Sequence, residues 1–453
     1  MNYISTRNKK LNLDFKSIFL RGLAPDGGLF LPKEIKKLSL EDIKLLGKLN
    51  YIDLATEIIT IFCSPNLSKI KIKSIIQKAY SNFNTTNVVE VKKIDNINLL
   101  ELYHGPTLAF KDIAMQVIGH MYSELGLNKN KINIIVATSG DTGSAAIAAL
   151  KDKENINLFV LHPYNKISNI QRKIMTSCDS KNIFNIAVRG NFDDCQKIVK
   201  DMFNDNQFRE KINMSGVNSI NWARIICQIV YYFYAYFKFS KSLNFSVPTG
   251  NFGDVYAGYI AKKMGLPIDK LIVATNDNDI LHRAISKGDY ISKEVKETLS
   301  PSMDIQLASN FERLIYYVNN SDSVKTAEIM KKVKQNSYQI EKNNLDIIQK
   351  DFLSECCNEQ ETLDIIKKNH VENNIILDPH TAVGVGAAKK LSFNDCVVLS
   401  TAHPCKFPDA TNNAINKHEK LPKQLQHVLD KDENFQVLKN NTEDVKNFIK
   451  SKI

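Results

Sequence analysis

The sequence Ile132-Asn-Ile-Ile-Val-Ala-Thr-Ser-Gly-Asp-Thr-Gly-Ser-Ala-Ala-Ile-Ala-Ala-Leu150 contains an apolar run, a glycine-containing turn and an alanine-rich segment, in that order. An unbroken apolar run is typical of a strand buried on both faces, and alanine favours a helix. Small residues at the turn let the backbone approach a ligand, and the N–H groups at the helix start favour an anion. The same turn would also serve as a plain tight start to a helix. The stretch predicts the strand–turn–helix unit of a parallel α/β sheet.

This alternation recurs along the chain. Further short apolar runs, each separated from the next by a helical pattern, lie at 158–161, 183–188, 245–247, 271–274 and 396–399. Continuous apolar strands separated by helices indicate parallel sheets that are covered on both faces. The chain is therefore predicted to have an α/β fold with parallel-rich sheets.

Two further regions lie on either side of this core. Residues 1–90 are predicted to form a mainly helical N-terminal domain, and 408–453 a helical closing segment. The α/β region that carries the chemistry is then 91–407. Within it, the polar stretch 317–370 has helical spacing and predicts a helical excursion from the sheet.

Length and composition exclude several classes of protein. A chain of 453 residues is long enough for two or three units with buried cores. Hydrophobic residues make up 43% and there are only 18 Gly and 12 Pro, which excludes collagen-like and largely disordered chains. The net charge of +11 comes from Lys, because only eight of the 60 cations are Arg. Nucleic-acid readers usually rely on Arg, so no nucleic-acid partner is expected.

The cysteines and the apolar segments indicate the compartment. The eight cysteines lack C-x-x-C spacing, so buried free thiols are expected. The most apolar stretch, 225–239, predicts a buried helix rather than a membrane span, and the first residues lack the apolar core of a signal peptide. No His/Cys spacing indicates a metal site. We expect a cytoplasmic protein with no membrane or metal partner.

A second glycine-containing turn reads Val247-Pro-Thr-Gly-Asn-Phe-Gly-Asp254, again between a predicted strand and a predicted helix. Gly250 and Gly253 favour a nest of N–H donors around a phosphate, helped by the helix dipole. The turn lacks the Gly-Lys-Ser/Thr ending of a nucleotide P-loop and is not G-x-G-x-x-G. It therefore predicts a phosphate site of another kind.

Lys111 is the candidate nucleophile. It stands in Tyr103-His-Gly-Pro-Thr-Leu-Ala-Phe-Lys-Asp112, directly before an apolar helical pattern. Partial burial and the dipole at a helix start lower the pKa of an amine toward the neutral form that a Schiff base needs. The alternative is an ordinary solvated lysine, and the surrounding motif is what favours the nucleophile.

Four motifs together resemble one enzyme family. They read His104-Gly-Pro-Thr-Leu-Ala-Phe-Lys-Asp112, Thr138-Ser-Gly-Asp-Thr-Gly143, Pro248-Thr-Gly-Asn-Phe-Gly-Asp254 and Ser400-Thr-Ala-His-Pro-Cys-Lys-Phe407. In this order they resemble the threonine synthases of the bacterial and fungal type, which are fold-type II pyridoxal-phosphate (PLP) enzymes similar to the tryptophan synthase beta subunit. Three further segments extend the resemblance over nearly the whole chain: Tyr3-Ile-Ser-Thr-Arg7, Leu23-Ala-Pro-Asp-Gly-Gly28 and Asp378-Pro-His-Thr-Ala-Val-Gly384. The resemblance implies two α/β domains with parallel-rich sheets besides the N-terminal domain.

The resemblance also assigns the cofactor contacts. Lys111 would form the internal aldimine with PLP, and the Thr401 hydroxyl would bind the pyridine nitrogen. A hydroxyl there leaves the ring largely neutral and a weaker electron sink than an Asp partner would. The phosphate pocket would be lined by Gly250, Asn251, Phe252 and Asp254.

Two residues depart from the family pattern. Cys405 stands where Ala is common, and Thr249 stands where Ser is also seen. Neither exchange removes a group that the chemistry needs.

The substrate contacts follow from the same resemblance. The substrate's carboxylate would meet hydroxyls and amides of Ser139, Gly140, Thr142 and Gly143. Asp141 stands where related enzymes often carry Asn near the ring hydroxyl of the cofactor, and a carboxylate cannot donate a hydrogen bond to a phenolate. A second phosphate needs another anion site, for which the candidates are Lys166, Ser168 and Arg172. Such a basic helix start is otherwise an ordinary solvated face.

The implied activity is that of a carbon–oxygen lyase acting on phosphates. It would convert O-phospho-L-homoserine and water to L-threonine and phosphate, the last step of threonine biosynthesis, with Lys111 as the base. A smaller mobile subdomain at about 115–215 would close on this small-molecule substrate. The enzyme would be a monomer or a homodimer.

Two other functions stay open on the sequence alone. Another fold-type II enzyme, such as a threonine dehydratase or a cysteine synthase, shares the lysine and the glycine turns but generally has a different sequence around the lysine. A catalytically inactive relative that only binds a phosphorylated metabolite is the second, and the presence of Lys111 and Thr401 argues against it.

Overall fold

A small antiparallel sheet packed among helices begins the chain. The computed structural model describes residues 1–126, 131–417, 419–426 and 428–453. The three strands lie in the order β2-β1-β3. The elements of this part are β1 (Tyr3–Ser5), β2 (Asn8–Leu13), α1 (Phe15–Arg21), β3 (Phe30–Pro32), α2 (Leu40–Leu46), α3 (Tyr51–Cys63) and α4 (Lys69–Tyr80). The helices agree with the predicted character of this region, but the sheet was not predicted, because β1 and β3 have only three residues each and β2 is polar and largely exposed.

A hairpin and a long helix lead into the smaller of two parallel sheets. The hairpin is β4 (Glu90–Ile94) and β5 (Ile97–Glu101), and the helix is α5 (Lys111–Leu125). The elements that follow are β6 (Ile132–Ala137), α6 (Asp141–Leu150), β7 (Ile156–Pro163), α7 (Asn169–Thr176), β8 (Ile183–Arg189), α8 (Phe192–Asn204), α9 (Asn206–Lys211) and β9 (Met214–Ser215). Every residue of β6 and β7 is buried, as expected for strands covered on both faces.

The remaining elements complete the larger sheet and its helices. They are α10 (Trp222–Phe239), β10 (Leu243–Pro248), α11 (Gly253–Lys263), β11 (Ile268–Thr275), α12 (Ile280–Lys287), α13 (Phe311–Val318), α14 (Ser323–Lys334), α15 (Lys342–Asp351), β12 (Phe352–Cys356), α16 (Glu359–Asn373), α17 (Pro379–Lys390), β13 (Val397–Ser400), α18 (Pro408–Ile415), α19 (Lys423–Gln426), β14 (Gln436–Lys439) and α20 (Thr442–Lys450). Two short 3-10 helices lie at Pro301–Met303 and Pro404–Lys406.

Strand pairing confirms the α/β fold. The larger sheet has the order β12-β11-β10-β13-β5-β4, in which β4 pairs antiparallel and the other pairs are parallel. The smaller sheet has the order β14-β8-β7-β6-β9 and all its pairs are parallel. We call the smaller sheet with its helices the small unit, and the larger sheet with its helices the large unit.

Two edge strands lie in segments that were predicted to be helical. The closing segment 408–453 contains β14, which extends the small sheet by pairing Val437 with Ala187 of β8. The excursion 317–370 contains β12, the edge strand of the large sheet. Both strands are short and partly exposed, so they lack the continuous apolar run that marks a central strand. The domain boundaries near 90 and 407 stay predictions.

The helix predicted at 225–239 is α10, and it is buried along most of its length. It packs against α11 and α5, two of the helices whose starts carry motifs. No helix among the described residues is long and apolar enough to cross a membrane. In parallel sheets, ligands bind at the carboxyl ends of strands, and the four motifs lie in the segments that follow β5, β6, β10 and β13.

Candidate active site

Lys111 begins α5 and is buried, with only 9% of its surface exposed. The chain before it is held in place by Asp112, whose carboxylate accepts hydrogen bonds from the N–H (2.8 Å) and the hydroxyl (2.7 Å) of Thr107. Gly105 is required for this fit, because a Cβ there would lie 2.4 Å from the Asp112 side chain. The Phe110 N–H donates to the Thr401 carbonyl at 2.8 Å, which ties the lysine to the end of β13.

Asp141 is the charged neighbour of Lys111. Its carboxylate lies 3.3 Å from the Lys111 amine, 2.6 Å from the Lys406 amine and 3.0 Å from the Gln171 amide nitrogen. Burial lowers the pKa of Lys111, with Asp141 opposing that shift. Burial alone would raise the pKa of Asp141, but Lys406 and Lys111 together hold it well below its usual range. The carboxylate therefore stays ionised and accepts hydrogen bonds from both amines.

The turn before α6 places Asp141 at the start of that helix. Thr138 Oγ1 accepts the N–H groups of Gly140 and Gly143, both at 2.9 Å. Gly140 has a φ of +138°, and a Cβ there would lie 2.8 Å from the Gln171 side chain. Two of the amides that were predicted to meet the substrate are therefore already bonded, whereas Ser139 and Thr142 are partly exposed.

The turn before α11 forms a backbone cradle. Phe252 has a φ of +62°, and its ring is buried against Phe311. Gly250 approaches the 3-10 helix at Pro301–Met303 so closely that a Cβ would lie 2.6 Å from the Ser302 carbonyl. Within the described part of the chain, no hydrogen bond uses the N–H groups of Gly250, Asn251, Phe252 or Gly253. These donors at a helix start are suited to an anion.

Asp254 lies behind this cradle in the first turn of α11. Its Oδ1 accepts from the hydroxyls of Tyr231 and Tyr232, whereas its buried Oδ2 has no hydrogen-bond partner among the described residues. Burial raises the pKa of the carboxyl to about 6, against the effect of the two tyrosines.

Thr401 lies just beyond β13 and is buried, and its hydroxyl makes no hydrogen bond within the described residues. Its N–H donates to Thr381 Oγ1 at 3.2 Å, and Thr381 in turn donates to Asp378. Asp378 also lies 3.0 Å from His380 Nδ1, while His380 Nε2 accepts the Ser302 N–H at 3.2 Å. This network fixes the backbone of Thr401 and leaves its hydroxyl available.

Comparison with known proteins gives one consistent family. Family models match in succession: "Threonine synthase N terminus" at residues 2–80, "Pyridoxal-phosphate dependent enzyme" at 84–337 and "Threonine synthase, C-terminal" at 381–449. The threonine synthase of Pseudomonas aeruginosa is 41% identical over 99% of this chain and 98% of its own. That of Saccharomyces cerevisiae is 42% identical over 91% of this chain and 89% of its own.

The chain belongs to the threonine synthase family. The solved structure of the PLP-bound threonine synthase from Brucella melitensis superposes on it with a TM-score of 0.95, at 41% identity, over 100% of this chain and 99% of that one. The fold-type II architecture, the PLP cofactor and the enzyme class predicted for this member of the threonine synthase family are therefore confirmed.

The residues present fit PLP. Among the described residues, the N–H groups of the cradle before α11 and the Thr401 hydroxyl make no hydrogen bond, and the buried amine of Lys111 lies in the same site. Lys111 would carry the cofactor, the cradle would hold its phosphate and Thr401 would hold its ring nitrogen. These roles of individual residues stay predictions that the geometry supports.

The three candidates for the substrate's phosphate lie in different surroundings. A cavity of about 400 Å³ between the two units is lined by Lys166 and Ser168, together with Ser139, Gln171 and Asn191. Arg172 does not line this cavity, and its guanidinium makes two hydrogen bonds to Glu433, at 2.8 and 2.9 Å. The structure thus brings two of the three together and pairs the third elsewhere.

Sequence reasoning missed two side chains at this site. Lys406 is fully buried, and besides Asp141 it binds the Thr107 carbonyl at 2.8 Å. Gln171 holds the other side of Asp141. Lys406 lies within a quoted motif, so its position was known, but nothing in the sequence shows that its amine reaches a carboxylate in the other unit.

Proposed function

We propose that this chain converts O-phospho-L-homoserine and water to L-threonine and phosphate, with PLP carried by Lys111. When bound, PLP supplies an electron sink for the substrate carbons next to the amine. The observation that carries the proposal is the arrangement around Lys111. Its buried amine lies 3.3 Å from Asp141, in a site where the cradle N–H groups and the Thr401 hydroxyl make no hydrogen bond within the part of the chain that the structure describes.

Lys111 is the proton carrier of this proposal. Burial lowers the pKa of its amine, so that the neutral form that accepts a proton is within reach. Asp141 stabilises the protonated amine without taking its proton, because Lys406 keeps the carboxylate ionised. One amine beside one permanent carboxylate thus accepts and returns protons at neighbouring substrate atoms.

The cavity between the units is the proposed place for the substrate's phosphate. Lys166 supplies charge, and Ser168 supplies a hydroxyl at the start of α7. The Lys166 amine lies 3.5 Å from Glu297 across the cavity, and both side chains are largely exposed. An exposed pair of this kind contributes roughly 0–1 kcal/mol, so a phosphate displaces it at little cost. Arg172 would have to give up two hydrogen bonds to Glu433, which makes it the weakest of the three candidates.

The proposed reaction is tested with the purified full chain and three substrates. O-Phospho-L-homoserine should release phosphate and give threonine in equal amounts. L-Serine and L-threonine should give no pyruvate and no ketobutyrate above background. Release of either keto acid at a comparable rate would favour another fold-type II enzyme. Binding of PLP without phosphate release would favour an inactive binding protein.

The cellular setting and the assembly complete the proposal. The structure shows all eight cysteines as free thiols, which supports a reducing compartment such as the cytoplasm. We propose a monomer or a homodimer whose partner is its small-molecule substrate rather than a nucleic acid.

A further inference from the structure

Arg313 is a fully buried arginine that ties three segments together from the first turn of α13. Its Nε donates to the Phe30 carbonyl at 2.9 Å, its Nη2 donates to the Ile220 carbonyl at 2.7 Å, and its Nη1 donates to Asn310 Oδ1. No carboxylate in the described ranges lies within ion-pair distance of it. The planar fork of this side chain therefore fixes oxygen atoms in place rather than neutralising a carboxylate.

The contact with Arg313 sets the orientation of the Asn310 amide. A guanidinium only donates hydrogen bonds, so the atom that faces it is Oδ1, and Nδ2 faces the other way. That nitrogen donates to the carbonyls of Asn251 (3.1 Å) and Ser219 (3.2 Å). The backbone N–H of Asn310 also donates to the Asn251 carbonyl, at 3.1 Å. One residue thus holds this carbonyl of the cradle with two donors.

The Asn251 carbonyl determines where the next N–H group points. The peptide between Asn251 and Phe252 is trans, so its carbonyl and its N–H point in opposite directions. With the carbonyl held against α13, the Phe252 N–H faces away from α13, where no described group bonds to it. Phe252 also has a φ of +62°, a conformation that a side chain of this size adopts only where its surroundings impose it.

The N-terminal sheet holds the start of α13 in place. Besides the bond from Arg313 to Phe30 in β3, the Glu312 carboxylate accepts from the Thr6 hydroxyl at 2.6 Å and from the Arg7 guanidinium at 2.7 and 2.8 Å. Glu312 and Arg313 are both buried, so these bonds are shielded from water. The N-terminal sheet therefore provides a fixed support for the residues that hold the cradle.

We propose that Asn310 and Arg313 are positioning residues of the cradle. Arg313 orients the Asn310 amide, and Asn310 holds the Asn251 carbonyl so that the Phe252 N–H is directed to the phosphate of PLP. The proposal rests on the placement of that phosphate in the cradle, which belongs to the proposed function. Both residues then act on the affinity for the phosphate rather than on the proton carried by Lys111.

The test compares PLP with pyridoxal, which lacks the phosphate. Binding of each to the full chain is measured by equilibrium dialysis for the unaltered protein, for Asn310→Ala and for Arg313→Lys. Asn310→Ala removes the amide without changing the charge near the phosphate. Arg313→Lys keeps the charge but loses the fork. Each should weaken PLP binding by about 3- to 10-fold, the effect of one lost hydrogen bond, with little change for pyridoxal.

Each variant has a matched control. Asn319→Ala removes a buried asparagine directly after α13, whose amide donates to the Ile315 carbonyl and accepts from Asn344. Arg283→Lys makes the same exchange at a buried arginine that is paired with carboxylates on and after α12. Both controls should lower the unfolding temperature and leave the ratio of PLP to pyridoxal affinity unchanged.

Three results would overturn the proposal. Equal weakening of PLP and pyridoxal by Asn310→Ala would show a structural role only. A ratio that changes in Arg313→Lys but not in Asn310→Ala would show that the amide is not the link to the cradle. An equal change of the ratio in Asn319→Ala would assign the effect to a loosened α13.

Should Asn310→Ala fail to fold, Arg313→Lys and its control decide the test. If the unaltered protein itself binds pyridoxal as tightly as PLP, the cradle does not hold the phosphate and the placement of the cofactor fails. That outcome is distinct from a failure of the two positioning residues alone.

Discussion

The amine of Lys111 and the carboxylate of Asp141 form the centre of the site. Removing the amine should abolish the reaction and leave the protein folded. Lys111→Ala should lose covalent cofactor attachment, seen as loss of visible absorbance, and should release no phosphate from O-phospho-L-homoserine. Asp141 keeps Lys406 and Gln171 as partners, so the free energy of unfolding should fall by only about 1–3 kcal/mol. Urea unfolding measures that loss. Turnover in this variant at the unaltered rate would disprove the assignment of Lys111.

Lys406 makes a second prediction at the scale of a residue. In the native state the pKa of Asp141 is lowered, so the stability that its ionised form contributes is present at neutral pH and is lost as pH falls through the native pKa. Lys406→Met removes the nearest cation, and the native pKa should then rise. The acidic limb of the pH–rate profile should shift to higher pH, and acid unfolding should begin at higher pH.

The control for Lys406→Met is Lys389→Met, which removes a partly exposed lysine 3.9 Å from Asp95. It should leave both pH profiles unchanged. An acidic limb that does not move in Lys406→Met would mean that Lys406 does not set the ionisation of Asp141.

Motifs can single out residues beside strand and helix ends, but they do not show side chains that act across the fold. Lys111, Thr401 and the cradle residues were singled out because each stands next to a predicted strand or helix, and their roles stay predictions. Lys406 and Gln171 were not singled out, because their roles depend on the carboxylate that each faces after packing. Arg172 was predicted to bind the substrate's phosphate, but its guanidinium pairs with Glu433, and the local sequence does not show that contact.

At the scale of an element, the turn between β6 and α6 depends on its glycine backbone. Gly140→Ala should destabilise the protein by about 1–3 kcal/mol, since φ at this position is +138°. The new methyl group should also press on Gln171, 2.8 Å away, and so disturb its hydrogen bond to Asp141. We therefore expect a raised KM for O-phospho-L-homoserine in steady-state kinetics, besides the loss seen in urea unfolding.

Gly27→Ala separates the two effects of Gly140→Ala. Gly27 also has a positive φ, +74°, but a Cβ there meets only the Arg7 side chain at 3.4 Å. This control should lose stability and keep its KM. A raised KM in both variants would mean that backbone strain alone, and not the contact with Gln171, changes the site.

The central strands of the small sheet were predictable, whereas the edge strands β12 and β14 were not. The runs that became β6, β7 and β8 are buried and apolar, so their sequences show what they are. β12 and β14 are edge strands of five and four residues, in which buried and polar positions mix. Their pairing partners, β11 and β8, decide their conformation, and that information lies outside the local sequence.

At the scale of the whole molecule, the site lies between the two units. Lys111 and Lys406 belong to segments tied to the large sheet, whereas Asp141 and Ser168 belong to the small unit. Ser168 Oγ also contacts the Lys406 carbonyl at 3.3 Å. A ligand that contacts both sides therefore couples its binding to the distance between the units.

The phosphate of the substrate is expected to drive closure of the small unit. Lys166 and Glu297 face each other across the cavity between the units, and a phosphate there would contact Lys166 and Ser168 of the small unit while the rest of the substrate contacts Lys111. Only a ligand with different affinities for the open and closed states can shift that equilibrium. A non-cleavable phosphonate analogue of O-phospho-L-homoserine should therefore slow amide hydrogen exchange across 131–215 by about tenfold or more relative to homoserine.

Two variants show which cations carry this effect. Lys166→Met should remove most of the difference between the phosphonate and homoserine, because it deletes the cation that lines the cavity. Arg172→Ala should leave the difference in place and speed exchange near the chain's C-terminal end, because Glu433 loses its partner. Equal protection by both ligands in the unaltered protein would show that the phosphate does not drive closure. Loss of the difference in Arg172→Ala but not in Lys166→Met would move the anion site from the cavity to Arg172.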